Sequence, residues 1–266
     1  MKILLIEFLV IFLLTTTEVL SQEQIQYGSN NGKYISIFNT KVYYEEYGKG
    51  MPLILLEGGY TSIKSFSKSI PELSKYFRVI IPDTPGQGKS EAPDSMTYSF
   101  MAEYISKMID LLKLDSAYVL GWSDGGNMAL ILASKRPDKI KKVLAYGAGT
   151  RLDGATKRAQ DFINGITYEE MQKISWSDHQ ISPKFFADIV KMWRTDIWVP
   201  QNLLENTKIP VMIAIGDKDI TTLEHGIEMH RLIKNSQFCV LPNTTHFVFI
   251  QSPSLINQIT IDFFKK

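Results

Sequence analysis

One cysteine, Cys239, stands in 266 residues, so no disulfide can form within the chain and the fold must rest on its core. An excess of either charge is missing too. The 29 Lys and Arg nearly balance 28 Asp and Glu, a net charge of +1, with none of the surplus that a nucleic-acid binder displays as a basic patch. No apolar run is long enough to span a bilayer comfortably: the longest, residues 3–14, is already broken by Glu7. Metal motifs are absent as well. His225 and His230 sit five apart in a predicted helix, so they do not face one way or form H-E-x-x-H, and His179 lies in a different region. "GQGKS" fails as a phosphate loop, because the glycine required five residues before Gly88 is Asp83. Internal repeats and low-complexity tracts are also lacking. Nucleic acid is excluded as a partner, and neither metal nor cofactor is called for.

What remains is an ordinary globular composition, 44% hydrophobic and 21% charged, long enough for one large domain. At the N-terminus, Lys2 precedes the apolar run, and Val19 and Ser21 occupy the small-residue positions of a cleavage site. Residues 1–21 therefore read as a secretory signal peptide, which predicts export and no membrane span after its removal, with an uncleaved amphipathic anchor, favoured by Glu7, as the alternative. Cys239, in "SQFCVL", reads as a small buried hydrophobe. Asn243-Thr244-Thr245 matches a glycosylation sequon.

Beyond the leader, apolar strand-like runs alternate with helical patterns, the signature of a mostly parallel sheet with helices on both faces. "PLILLEGG", "RVIIPDTPGQGKS", "AYVLGWS" and "IKKVLAYGAG" read as strands. "SFSKSIPELSKYF" reads as a helix bent or started at Pro71, and "SFMAEYISKMIDLLKL" as one with Phe100, Tyr104, Met108, Leu111 and Leu112 on its apolar face. From 151 to 206 the rhythm changes to helical pieces without a clear strand. Strand and helix then alternate again. This divides the chain into a core of residues 22–150 and 207–266 and a helical cap at 151–206. The cap holds three of the four tryptophans, Trp176, Trp193 and Trp198, with Phe162, Phe185 and Phe186. They suit either the cap's own packing or the lid of an apolar pocket.

"VLGWSDGG" leaves a strand through Gly121, Ser123 and Gly125, the G-x-S-x-G of a serine mounted on a tight turn. A serine hydroxyl is a poor nucleophile until a base takes its proton and a third group holds that base. In open α/β sheets ligands gather at the carboxyl ends of the strands. Two later strands end there with suitable residues: "VMIAIGDKD" with Asp217 and Asp219, and "FCVLPNTTH" with His246. The order serine, acid, histidine is that of one hydrolase family.

With "LLEGG" (55–59), "DTPGQGKS" (83–90), "GDKD" (216–219) and "PNTTH" (242–246), the sequence resembles the alpha/beta-hydrolase family along essentially all of its mature length. It looks most like the small capped serine esterases that include valacyclovirase-type hydrolases. The resemblance implies an alpha/beta-hydrolase fold, Ser123 as nucleophile, His246 as general base and Asp219 as orienting acid, with Asp217 as fallback. It implies an oxyanion hole from the backbone N–H groups of Asp124 and Gly59, with Tyr60 next in line. Where the family usually has His-Gly, this chain has Glu57-Gly58. Two readings of Glu57 stay open: it accepts the hydrogen bonds that organise the loop, or it joins Asp124 in favouring cationic substrates. Glu57, Tyr60 and Trp122 are candidates for touching substrate. The expected activity is hydrolysis of a small carboxylic ester through an acyl-enzyme. The alternatives are an amino-acyl ester or amide hydrolase, or a ligand-binding member of the same fold without turnover.

Overall fold

The computed structural model describes residues 26, 32–174, 182–195 and 197–266. The leader at residues 1–21, and His179 and Trp176, lie outside the described residues. Among the described residues eight strands form one sheet: β1 (Lys33–Ile37), β2 (Thr40–Tyr47), β3 (Pro52–Leu56), β4 (Arg78–Pro82), β5 (Ala117–Trp122), β6 (Ile140–Tyr146), β7 (Val211–Lys218) and β8 (Ser236–Thr245). Their spatial order is β1-β2-β4-β3-β5-β6-β7-β8. β1, β2 and β4 pair antiparallel, and every pairing from β4 through β3 to β8 is parallel. The β1–β2 hairpin turns on Phe38 and Asn39, both with positive φ, so that Ile37 faces Thr40.

Residues along each central strand alternate between two cores. Ile54, Leu56, Val119, Val143 and Ile213 point to one face, Leu53, Leu55, Leu120, Leu144 and Met212 to the other. Each fully buried aliphatic side chain contributes about 1.5–3 kcal/mol by leaving water. A short helix α1 (Ile70–Leu73), α9 (Val248–Gln251) and α10 (Pro253–Lys265) cover the second face. The first face carries α2 (Tyr98–Leu111), α3 (Asp124–Lys135), α7 (Gln201–Glu205) and α8 (Leu223–Leu232). Between β6 and β7 lie α4 (Lys157–Gly165), α5 (Tyr168–Ile174), α6 (Pro183–Trp193) and α7, with no strand of the sheet among the described residues.

Three local expectations change. "SFSKSIPELSKYF" forms a 3-10 turn at Ile63–Phe66 and the single turn of α1, with Pro71 in its first positions, rather than one bent helix. The buried face of α2 centres on Met101, Tyr104, Ile105 and Met108, while Leu111 is exposed and Phe100 half-buried. Phe100 and Leu112 still pack against the same core, so the stripe is broader than the one read in sequence and only Leu111 falls outside it. Cys239 is half-buried, because β8 is the edge of the sheet.

Candidate active site

Ser123 stands between β5 and α3 at φ 56° and ψ −120°, a conformation that an L-residue adopts only under constraint. The glycines around it make the turn possible. A Cβ on Gly121 would collide with the Gly125 carbonyl, and one on Gly125 with the Leu56 carbonyl. The Ser123 amide is anchored to the Tyr146 carbonyl on β6 at 2.9 Å. The hydroxyl is thereby lifted above the carboxyl ends of the strands.

Asp219 and His246 arrive from the ends of β7 and β8. His246 Nε2 lies 2.8 Å from Ser123 Oγ, and its Nδ1 lies 2.7 Å from Asp219 Oδ1. For Nε2 to accept the serine proton, Nδ1 must carry the ring hydrogen and donate it to Asp219. Burial alone would raise the Asp219 carboxyl. The His246 ring, with the amides of Thr221 (3.2 Å) and Gly216 (3.3 Å), outweighs burial and holds it below the usual carboxylate range. Asp217 is elsewhere: it is exposed and accepts the Thr244 amide at 3.0 Å. Gly147, at φ 59°, leaves the space in which the imidazole and carboxylate meet; a Cβ there would stand 2.8 Å from Nδ1.

Two aromatic residues brace the histidine, and the sequence pointed to neither in that role. The Trp122 indole N–H donates to the His246 carbonyl at 2.7 Å, and the Tyr146 hydroxyl donates to the adjacent Thr245 carbonyl at 2.6 Å. Trp122 therefore positions His246, and its ring is also part of the cavity lining.

Glu57 is corrected more sharply. It is fully buried and absent from the cavity wall. Its Oε1 accepts the Thr84 amide at 2.6 Å, the Thr84 hydroxyl at 3.0 Å and the Gln87 amide group at 3.3 Å. Burial, with Asp83 adding to it, pushes its carboxyl up to about 8. A largely neutral group turned away from the cavity cannot attract cations. Glu57 instead ties the 57–61 loop to the turn after β4, the role left open as loop organiser. Gln87 completes the tie by accepting the Thr61 amide at 3.1 Å.

Asp124 opens α3, so its amide has no partner within the helix. It lines a cavity of about 340 Å³ together with Gly58, Gly59, Tyr60, Ser123 and His246. Both carboxylate oxygens are taken: Oδ1 accepts from the Tyr98 hydroxyl at 2.6 Å, Oδ2 from the Trp193 indole at 2.8 Å. Burial raises its pKa, and those two donors oppose the shift. Neither partner is visible in the motif. The 151–206 segment supplies Arg158, Phe162, Ile163, Met171, Trp193 and Trp198 to the wall. Tyr60 packs on Trp193 at 5.7 Å between ring centres.

The remaining described histidines are structural. His225 is buried and accepts the Thr150 amide at 3.0 Å, and burial lowers its pKa; His230 meets the Ser236 hydroxyl at 2.8 Å. Among the described residues, no group of three or more His, Cys, Asp or Glu is placed to hold a metal ion. No described helix is long and apolar enough to cross a membrane.

Residues 51–182 match the family model described as the alpha/beta hydrolase fold. The human serine hydrolase BPHL is 26% identical over 257 residues, which cover 86% of this chain and 84% of that protein. Among solved structures, a meta-cleavage product hydrolase from Pseudomonas fluorescens superposes with a TM-score of 0.76 at 22% identity, covering 88% of this chain and 97% of that one. Carboxylesterase CesB from Bacillus subtilis gives 0.71 at 20% identity, covering 88% and 90%. In topology, in the serine turn and in these likenesses, the chain is an alpha/beta-hydrolase-fold protein.

Proposed function

We propose that this chain is a serine hydrolase that cleaves small carboxylic esters through an acyl-enzyme on Ser123. The observation that carries the reading is the unbroken relay from Ser123 Oγ through His246 to Asp219, with contacts of 2.8 and 2.7 Å. In this mechanism Oγ attacks the ester carbonyl as Nε2 takes its proton. Asp219 steadies the imidazolium that forms and stays ionised. The carbonyl oxygen becomes an oxyanion held by the Asp124 and Gly59 amides, where one donor is worth roughly 3 kcal/mol. Collapse breaks the ester C–O bond, and His246 returns the proton to the departing alcohol. Water, deprotonated by the same imidazole, then attacks the acyl-enzyme and releases acid and free Ser123.

The names of the relatives support hydrolysis as the reaction class, and CesB supports an ester as the bond. The contacts of Asp124 favour a neutral ester over an ammonium-bearing one. Its oxygens already serve Tyr98 and Trp193, so it fastens α2 and α6 to the serine turn. The reading also takes residues 1–21 as a leader removed on export.

A fluorophosphonate probe tests the nucleophile. It should label the wild type at Ser123, and Ser123→Ala should lose both the label and roughly 10⁴-fold or more of p-nitrophenyl butyrate hydrolysis. Labelling that survives in Ser123→Ala would overturn the proposal.

A further inference from the structure

One face of α4 lines the cavity. Ala155 just before the helix, then Arg158, Ala159, Phe162 and Ile163, follow the i, i+3, i+4, i+7, i+8 spacing of a single helical stripe. Four of the five are apolar, as an acyl-chain wall requires. Arg158 breaks the pattern.

The helix is firmly placed at this end. The Thr156 amide donates to the Ile220 carbonyl at 2.7 Å, and Ala155 forms a β-bridge with Thr221. Arg158, in the first turn, is therefore held beside the loop that carries Asp219. The neighbouring acids are already committed: Asp153 pairs with Arg151 at 2.6 Å, and Asp161 with Lys157. Among the described residues, the Arg158 guanidinium makes no hydrogen bond or ion pair. It is exposed, so its guanidinium belongs to the rim, with Ala159 and Ile163 buried along the wall below. Asp124, the wall's one carboxylate, is held by Tyr98 and Trp193 and forms no ion pair with it.

We propose that Arg158 is an anion subsite, and that the preferred substrates are esters bearing a carboxylate several atoms from the scissile carbonyl. The guanidinium offers a planar fork of donors that matches a carboxylate bidentately. The carbon chain between the two groups lies along Ala159, Phe162 and Ile163. This subsite rests on the ester-hydrolase reading of Ser123 and specifies its substrate class. Because Arg158 binds a part of the substrate remote from the reacting carbonyl, its effect falls mainly on KM.

The test compares mono-p-nitrophenyl glutarate, which carries a free carboxylate, with its methyl-capped diester. The reading is the ratio of kcat/KM for acid over capped ester within each variant, which cancels any loss of folded enzyme. Wild type should favour the acid by about tenfold at low salt, the size of one hydrogen bond to a charged group. Added NaCl should shrink that advantage. Arg158→Gln should bring the ratio near parity, and Arg158→Glu should favour the capped ester. Turnover of both esters without an acid preference in wild type, or an acid preference that persists in Arg158→Glu, overturns the subsite and leaves the ester reading standing. Failure of either ester to turn over, together with no fluorophosphonate label on Ser123, overturns the ester reading and the subsite with it.

Discussion

Glu57 meets its neighbours with one oxygen: Oε1 takes donors from Thr84 and Gln87, while Oε2 is buried without a partner. The consequence is a pH dependence of stability with a definite sign. Burial, aided by Asp83, raises this carboxyl from 4.5 to about 8. Below about 4.5 both the folded and the unfolded chain hold the proton. Between 4.5 and 8 the unfolded chain releases it while the folded chain keeps it, so Glu57's contribution to stability falls as pH rises through that window, then levels off. Glu57→Gln keeps an oxygen for Thr84 and Gln87 but cannot titrate. It should flatten that part of the decline in Tm between pH 5 and 8, and a decline as steep as wild type would contradict the assignment. Nothing in "LLEGG" reveals this, because the motif fixes where the residue stands in the chain and not which way its carboxylate turns.

At the scale of elements, α6 is fastened to the serine turn by one hydrogen bond, Trp193 to Asp124, and the same carboxylate reaches back to α2 through Tyr98. Trp193→Phe preserves the aromatic contact with Tyr60 but removes the donor, leaving a buried oxygen unpaired at a cost of about 1–3 kcal/mol. Urea unfolding should show a loss of that order. Because Asp124 follows the nucleophile directly, kcat/KM for p-nitrophenyl butyrate should fall by about tenfold, a further 1.4 kcal/mol in the transition state. Wild-type kinetics in this variant would mean that α6 is seated by packing alone. The sequence made Ser123, Asp219 and His246 legible because each ends a strand, and strand ends in a parallel sheet converge. The strand ends left Asp217 and Asp219 both open, and the family resemblance pointed to Asp219; in the structure Asp219 faces the imidazole and Asp217 faces Thr244. The Trp193–Asp124 tie was not legible. It joins side chains 69 residues apart, a pairing that no periodicity encodes. Arg158 is legible only once the cavity shows which face of α4 it occupies.

For the whole molecule, the alternation of apolar strand-like runs with helical patterns was enough to anticipate a sheet covered by helices on both faces. It did not anticipate how the outer β8 leaves Cys239 half-buried. Expression of the full chain in a secreting host should give a mature protein whose N-terminal peptide begins at Gln22, after cleavage behind Ser21. Recovery of intact Met1 from the medium or envelope fraction would argue against the leader assignment. The union of Ala155 and Thr156 with Ile220 and Thr221 bears on how a substrate enters. A roof bolted along the edge where the acid is mounted cannot lift there without dragging Asp219 out of line. A change that loosens this seam is therefore felt at the acid as well as at the cavity wall.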